Sequence, residues 1–109
     1  MLTNVISKPY NLIGKVNKAC DSIHGFAVKI VDSDTFQMRV TWMSPKNKYL
    51  YQSQETINIS AIDAPELYHP GDSRDKEDME WKFRGKIVKC NVRDRDSEGK
   101  LICTIVGAF

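Results

Sequence analysis

At 109 residues the chain has room for one domain with a single core. Apolar residues at 41% and charged residues at 28% exclude an intrinsically disordered polymer, while a formal net charge of +2 announces neither a nucleic-acid nor a membrane partner, so electrostatic arguments rest on local patches. No run approaches the ~20 apolar residues of a membrane span, the N-terminus lacks an apolar secretion-signal core, and Cys20, Cys90 and Cys103 are an odd set without CxxC spacing, so the expectation is an intracellular protein of a reducing compartment with no membrane partner.

In chain order, Leu12, Ile13, Val16, Ala19, Cys20 and Ile23 follow helical spacing, which predicts a helix over 11–23 with Asn11 as cap and Gly25 as terminator. From Phe26 the period becomes two. "FAVKIV" reads as a strand, "DSDT" as a turn, and "FQMRVTW" alternates Phe36, Met38, Val40 and Trp42 with polar residues as a half-buried strand does. After the turn "SPKN" a third strand is expected between Lys48 and Ile62, with Ile57, Ile59 and Ala61 on one side. Residues 72–84 are charge-rich with Met79 and Phe83 four apart, predicting a short helix capped by Asp72 or Ser73. "KIVKCNV" and "KLICTIV" then form two strands joined by "RDRDSEG", with Gly99 supplying the positive-φ position of a hairpin. Cys90 and Cys103 fall on the apolar faces of these strands, where a thiol serves as a small hydrophobe.

Five short strands with a helix between the third and fourth match the five-stranded Greek-key OB-fold barrel, a mainly β fold; a generic α+β sheet is the alternative. The N-terminal helix would make an extension over 1–24, and the barrel would occupy 25–109.

The residues that suggest chemistry stand at two turns, Asp32 and Asp34 in "VDSDT" and Asp63 and Glu66 in "IDAPE". If the strands they follow are neighbours, the turns meet at one end of the barrel. Carboxylates together with a main-chain carbonyl are the donors Ca²⁺ takes, six to eight oxygens at a time, and a glutamate beside such a metal can activate water against a phosphodiester. Taken singly, Asp32 is a turn residue that accepts a backbone hydrogen bond. His24 and His69 show no ligand or nucleophile spacing and are expected at the surface.

Taken together, "VKIVDSDTFQMRV" and "INISAIDAPELYHP", followed by a helix and "GKIVKCNVRDRDSEGKL", resemble the staphylococcal nuclease-like (thermonuclease) family, whose first strand leads into Asp-Gly-Asp-Thr and whose third leads into Asp-Thr/Ala-Pro-Glu. The resemblance covers residues 26–106. It implies an OB-fold barrel in which Asp34, Asp63 and the Ala64 carbonyl match calcium-ligand positions and Glu66 matches the general base. The departures are specific. Asn58 stands where the family has a phosphate-clamping arginine, Lys100 stands at the second catalytic arginine, and Ser97-Glu98 replaces a Lys-Tyr pair that helps bind the nucleotide. Lysine keeps the charge without the bidentate fork. If each arginine supplies what one oxyanion-type donor does, each loss costs ~3 kcal/mol, or 10² to 10³ in rate.

The expectation is therefore a catalytically degenerate nuclease-like barrel acting in single-stranded DNA or RNA binding, or as a scaffold for a protein partner in a larger assembly. Lys86, Lys89, Arg93 and Lys100 would supply the basic groove, and Tyr49 and Tyr51 the stacking platforms. The bland counterpart is that Lys89, Asn91 and Arg93 are the solvated face of an alternating strand. The alternative function is an active Ca²⁺-dependent phosphodiesterase using Asp34, Asp63 and Glu66, with Lys100 as a substitute clamp. Either way, so small a donor set implies weak Ca²⁺ binding.

Overall fold

The computed structural model of the chain describes residues 21–67 and 75–109. Five strands, β1 (Asp21–Asp32), β2 (Thr35–Met43), β3 (Gln54–Ile62), β4 (Ile87–Arg95) and β5 (Leu101–Ala108), close into a barrel in the order β1-β2-β3-β5-β4. A short 3-10 turn (Pro65–Leu67) and a helix, α1 (Lys76–Phe83), lie between β3 and β4. The order, with β3 and β5 as the parallel pair, is that of the OB-fold.

Closure depends on β1, which serves two neighbours: Asp21 to Phe26 pair with β4, and Ile23 to Asp32 pair with β2. Such a strand must bend, and the β1–β2 register slips at three places along it. At one of them stands Gly25, where a Cβ would collide with the Arg39 carbonyl; glycine lets β2 approach there. Alternation then sends Ile23, Ala27, Ile30, Phe36, Met38, Ile57, Val88, Cys90, Leu101, Cys103 and Ile105 into one continuous core.

This geometry corrects several expected boundaries. β1 begins at Asp21, so Ile23 is a fully buried barrel residue rather than part of a helical stripe; the expected helix up to residue 20 lies outside the described residues. β3 begins at Gln54, because residues 44–53 form a connection that folds back on the start of β1. α1 begins at Lys76, capped by Asp75, whose side chain accepts from the Asp78 amide at 2.9 Å; Asp72 and Ser73 lie outside the described residues. The hairpin between β4 and β5 does turn at Gly99, with φ +86°.

Cys90 and Cys103 are both fully buried in the barrel. The hydrogen bond to Cys103 and then burial push the Cys90 thiol well above its ordinary range. Thiolate is the reacting form, so in a Cys20→Ser background a disulfide reagent should leave both thiols unlabelled in the native protein and label both in urea. Rapid native labelling of either would mean that the barrel opens there.

Candidate functional site

The turn between β1 and β2 is shaped by its own side chain: Asp32 Oδ1 accepts from the Asp34 amide at 2.9 Å. The Asp34 carbonyl accepts from the Ile59 amide at 2.7 Å, which presses this turn against β3. Beside it Thr35, Asn58 and Ile102 stand in one register row across β2, β3 and β5. Lys100 lies two residues before the end of that row, near enough to Asp32 to feel its charge. The fold thus gathers Asp34, Asn58 and Lys100, from three distant parts of the chain, at one end of the barrel.

What these groups already do limits what else they can do. Asn58 Oδ1 accepts from Thr35 Oγ1 at 3.0 Å, so this side chain is committed to its neighbour strand. Lys100 Nζ lies 3.0 Å from Glu98 Oε1, whose hydrogen bond and charge raise the ammonium pKa. Asp63 is exposed just past β3, its amide donating to the Ile105 carbonyl at 2.7 Å. Ala64 is buried, and its carbonyl accepts from the Leu67 amide at 2.9 Å. Among the described residues no group of three or more His, Cys, Asp or Glu side chains is placed to hold a metal ion. Asp34, Asp63 and an already engaged carbonyl supply far fewer oxygens than Ca²⁺ takes, leaving most of its shell to water.

Glu66 lines a different place, a cleft of about 490 Å³ shared with Leu67, Trp81, Lys82 and Lys86. Lys86 sits over the Trp81 ring there, 5.7 Å from its centroid, and Lys82 pairs with Asp78 at 3.0 Å. Lys89 lines neither this cleft nor the β1–β2 turn; its Nζ lies 4.7 Å from the centroid of the Phe109 ring.

The larger cleft, about 540 Å³, lies between the β2–β3 connection and β4. Tyr49, Tyr51 and Arg93, predicted from separate stretches, all line it, and the fold adds Lys48, Leu50 and Arg95. Tyr49 is 71% exposed and Leu50 93%, and Val92 and Leu101 also line the cleft. Tyr51 is different from the expected stacking platform: its ring is buried, and its hydroxyl donates to Asp21 Oδ2 at 2.6 Å. Burial and that bond push the phenol up.

Two buried carboxylates hold this cleft open. Asp21 also accepts from the amides of Lys48 at 2.9 Å and Tyr49 at 3.1 Å, so one side chain ties the connection to β1. Glu55 accepts both Arg95 guanidinium nitrogens at 3.2 Å and the Gln52 amide at 2.9 Å, fixing the other rim. Sequence reasoning missed Asp21, Lys48, Glu55 and Arg95. Asp21 stands in step with Ile23 and Ala27 on the inward side of β1, and an acid at an inward position of an apolar run was the available sign.

No family model, no curated protein and no solved structure matches this chain.

Proposed function

We propose that the chain is a single-stranded nucleic-acid-binding barrel, laid out like the staphylococcal nuclease-like family that it resembles but without that family's phosphodiester chemistry. The observation that carries the reading is the 540 Å³ cleft, lined by the exposed Tyr49 and by Lys48 from the β2–β3 connection and by Arg93 from β4. A sequence-tolerant single-strand site needs a ring face for bases and cations for the backbone, in one groove. Near those cations Asp21 and Glu55 are buried and bonded to donors beneath the cleft, Asp94 adds an exposed carboxylate to the lining, and Arg93 Nε donates to Thr104 Oγ1 at 3.2 Å.

The loss of chemistry is supported by the side chains beside the β1–β2 turn. Where the resemblance implies two arginines on a scissile phosphate, Asn58 is tied to Thr35 and Lys100 to Glu98. Two such losses, at ~3 kcal/mol each, leave little hydrolysis.

Anisotropy titrations of the full chain with labelled oligothymidylate and oligouridylate of roughly 15 nucleotides test the reading. The expected result is binding that weakens as salt rises, about tenfold weaker in Tyr49→Ala, and with a salt slope reduced by about one in Arg93→Ala. No binding of either oligomer at low salt overturns it in favour of a protein scaffold. The same oligomers in excess Ca²⁺ should stay intact, with Asn58→Arg plus Lys100→Arg gaining measurable cleavage. Robust wild-type cleavage that vanishes in Glu66→Ala would establish the Ca²⁺-dependent phosphodiesterase instead.

A further inference from the structure

The outer surface of the barrel carries a second aromatic arrangement. His24 of β1 pairs in register with Trp42 of β2 on one side and with Lys89 of β4 on the other. The His24 and Trp42 rings lie 4.3 Å apart, and Trp42 keeps 43% of its surface exposed. Lys89 pairs with Gly107, over which the Phe109 ring folds: a Cβ at Gly107 would meet it at 2.8 Å. Phe109 is 67% exposed, with Lys89 Nζ above it. One step along the strands Phe26 pairs with Arg39, whose guanidinium carbon lies 5.6 Å from the ring centroid.

These side chains share a face because of alternation on β1 and β4 and of one register slip, which skips Thr41 between the Gly25–Val40 and His24–Trp42 pairs and so turns Trp42 outward. Asp21, Ile23 and Ala27 point inward, so Ser22, His24 and Phe26 point outward, as do Lys89, Asn91 and Arg93 on β4. None of those six outward residues is a carboxylate, and the face carries Arg39, Lys89 and Arg93. Burial and the neighbouring Lys89 charge hold the His24 imidazole below its ordinary value, so near neutral pH it is an uncharged ring. The sheet surface therefore combines flat apolar rings with positive charge, the complement of unstacked bases on a phosphate backbone.

It is also continuous with the cleft. Arg93 lines the cleft, and Asn91 and Lys89 follow outward on the same strand, so the two surfaces are joined by a track of about 13 Å at ~3.3 Å per residue. We infer that Trp42, His24, Phe26 and Phe109 form a base-stacking platform across β2, β1, β4 and the end of β5, onto which a single strand held in the Tyr49 and Arg93 cleft continues along the outer face of β4. This rests on the nucleic-acid reading above and adds a second part to the site. Buried sequence separation hid it: His24 and Trp42 meet only through β1–β2 register, and Phe109 joins them only through the pairing of β4 with β5.

The chain has two tryptophans, so Trp81→Phe leaves Trp42 as the reporter. Titrating that full-length variant with oligothymidylate and oligouridylate should quench Trp42 emission at the same midpoint as anisotropy. Trp42→Ala and Phe109→Ala should each weaken binding about tenfold, and Lys89→Gln should reduce the salt slope by about one, with urea unfolding checked for each. If Tyr49→Ala weakens binding while Trp42 emission and the face variants do not respond, the platform is wrong and the cleft reading stands. If the wild type binds neither oligomer at low salt, both fall. Trp42 emission decides the matter even where an alanine variant fails to fold, since that measurement leaves the platform intact.

Discussion

Phe83→Ala is expected to lower the unfolding free energy by about 3–5 kcal/mol, the range for removing a fully buried aromatic side chain. Phe83 is the last residue of α1 and has no exposed surface. Its ring stacks on Phe36 of β2, with centroids 5.9 Å apart and planes 11° from parallel. A helix of eight residues has little stability of its own. It is held by Met79 and Phe83 entering the barrel core, so the variant loses ring burial, the ring pair and the docking of the helix together. For a domain of this size each 1 kcal/mol moves the melting point by ~4–8 °C, so the midpoint should fall by about 12 °C or more. A loss under about 1 kcal/mol in urea unfolding would mean that α1 is not packed on the barrel as described.

The same core shows what the sequence made legible. Alternation from Phe26 to Trp42 marked two strands, and Ile57, Val88, Leu101 and Ile105 marked the other three, because period-two apolar patterning is local and survives in any context that buries one face. The start of β1 was not legible for a physical reason. Ile23 fits a helical stripe when read with Val16, Ala19 and Cys20, and only its pairing with Cys90 of β4 and Met43 of β2 makes it a strand residue. Local spacing cannot weigh partners that lie 20 and 67 residues away.

The candidate site divides in the same way. Tyr49 and Arg93 were visible as residue types, yet their common cleft exists because Asp21 and Glu55 pin the β2–β3 connection, and those bonds cross 27 to 40 positions of sequence. Asn58 and Lys100 were legible as departures from a motif. That both are tied to neighbours was not. His24 was expected as an unremarkable surface residue, and no spacing rule predicts the register that stacks it on Trp42.

Asp21 joins the fold to the cleft, and Asp21→Ala should cost about 3 kcal/mol at neutral pH, in line with losing hydrogen bonds to a charged acceptor and stranding a buried hydroxyl. The carboxylate accepts from the Tyr51 hydroxyl and from the Lys48 and Tyr49 amides, and it is only 7% exposed. Burial pushes the carboxyl up, but the Tyr51 hydroxyl, the two amides and the Lys48 charge outweigh it and hold the group below its ordinary value of 3.8. A depressed folded-state pKa means that the unfolded chain takes up the proton first, so this contribution is whole above the unfolded value and is lost as pH falls through 3.8 and then through the lower folded one. Tyr51 has the opposite sign. Its phenol is raised in the folded chain, by burial and then by Asp21, so its contribution is whole below the unfolded value of 10.0 and drains away as pH rises beyond it. The pair therefore defines a plateau between those two limits, and the gap between wild type and Asp21→Ala in urea unfolding should be widest on it and narrow toward the acid side. The variant should also weaken oligonucleotide binding, because Lys48 and Tyr49 lose the anchor that sets their wall of the cleft. A gap in stability that does not change from pH 7 to pH 3 would show that the Asp21 charge does not hold this connection, and an unchanged affinity would separate the cleft from the anchor beneath it.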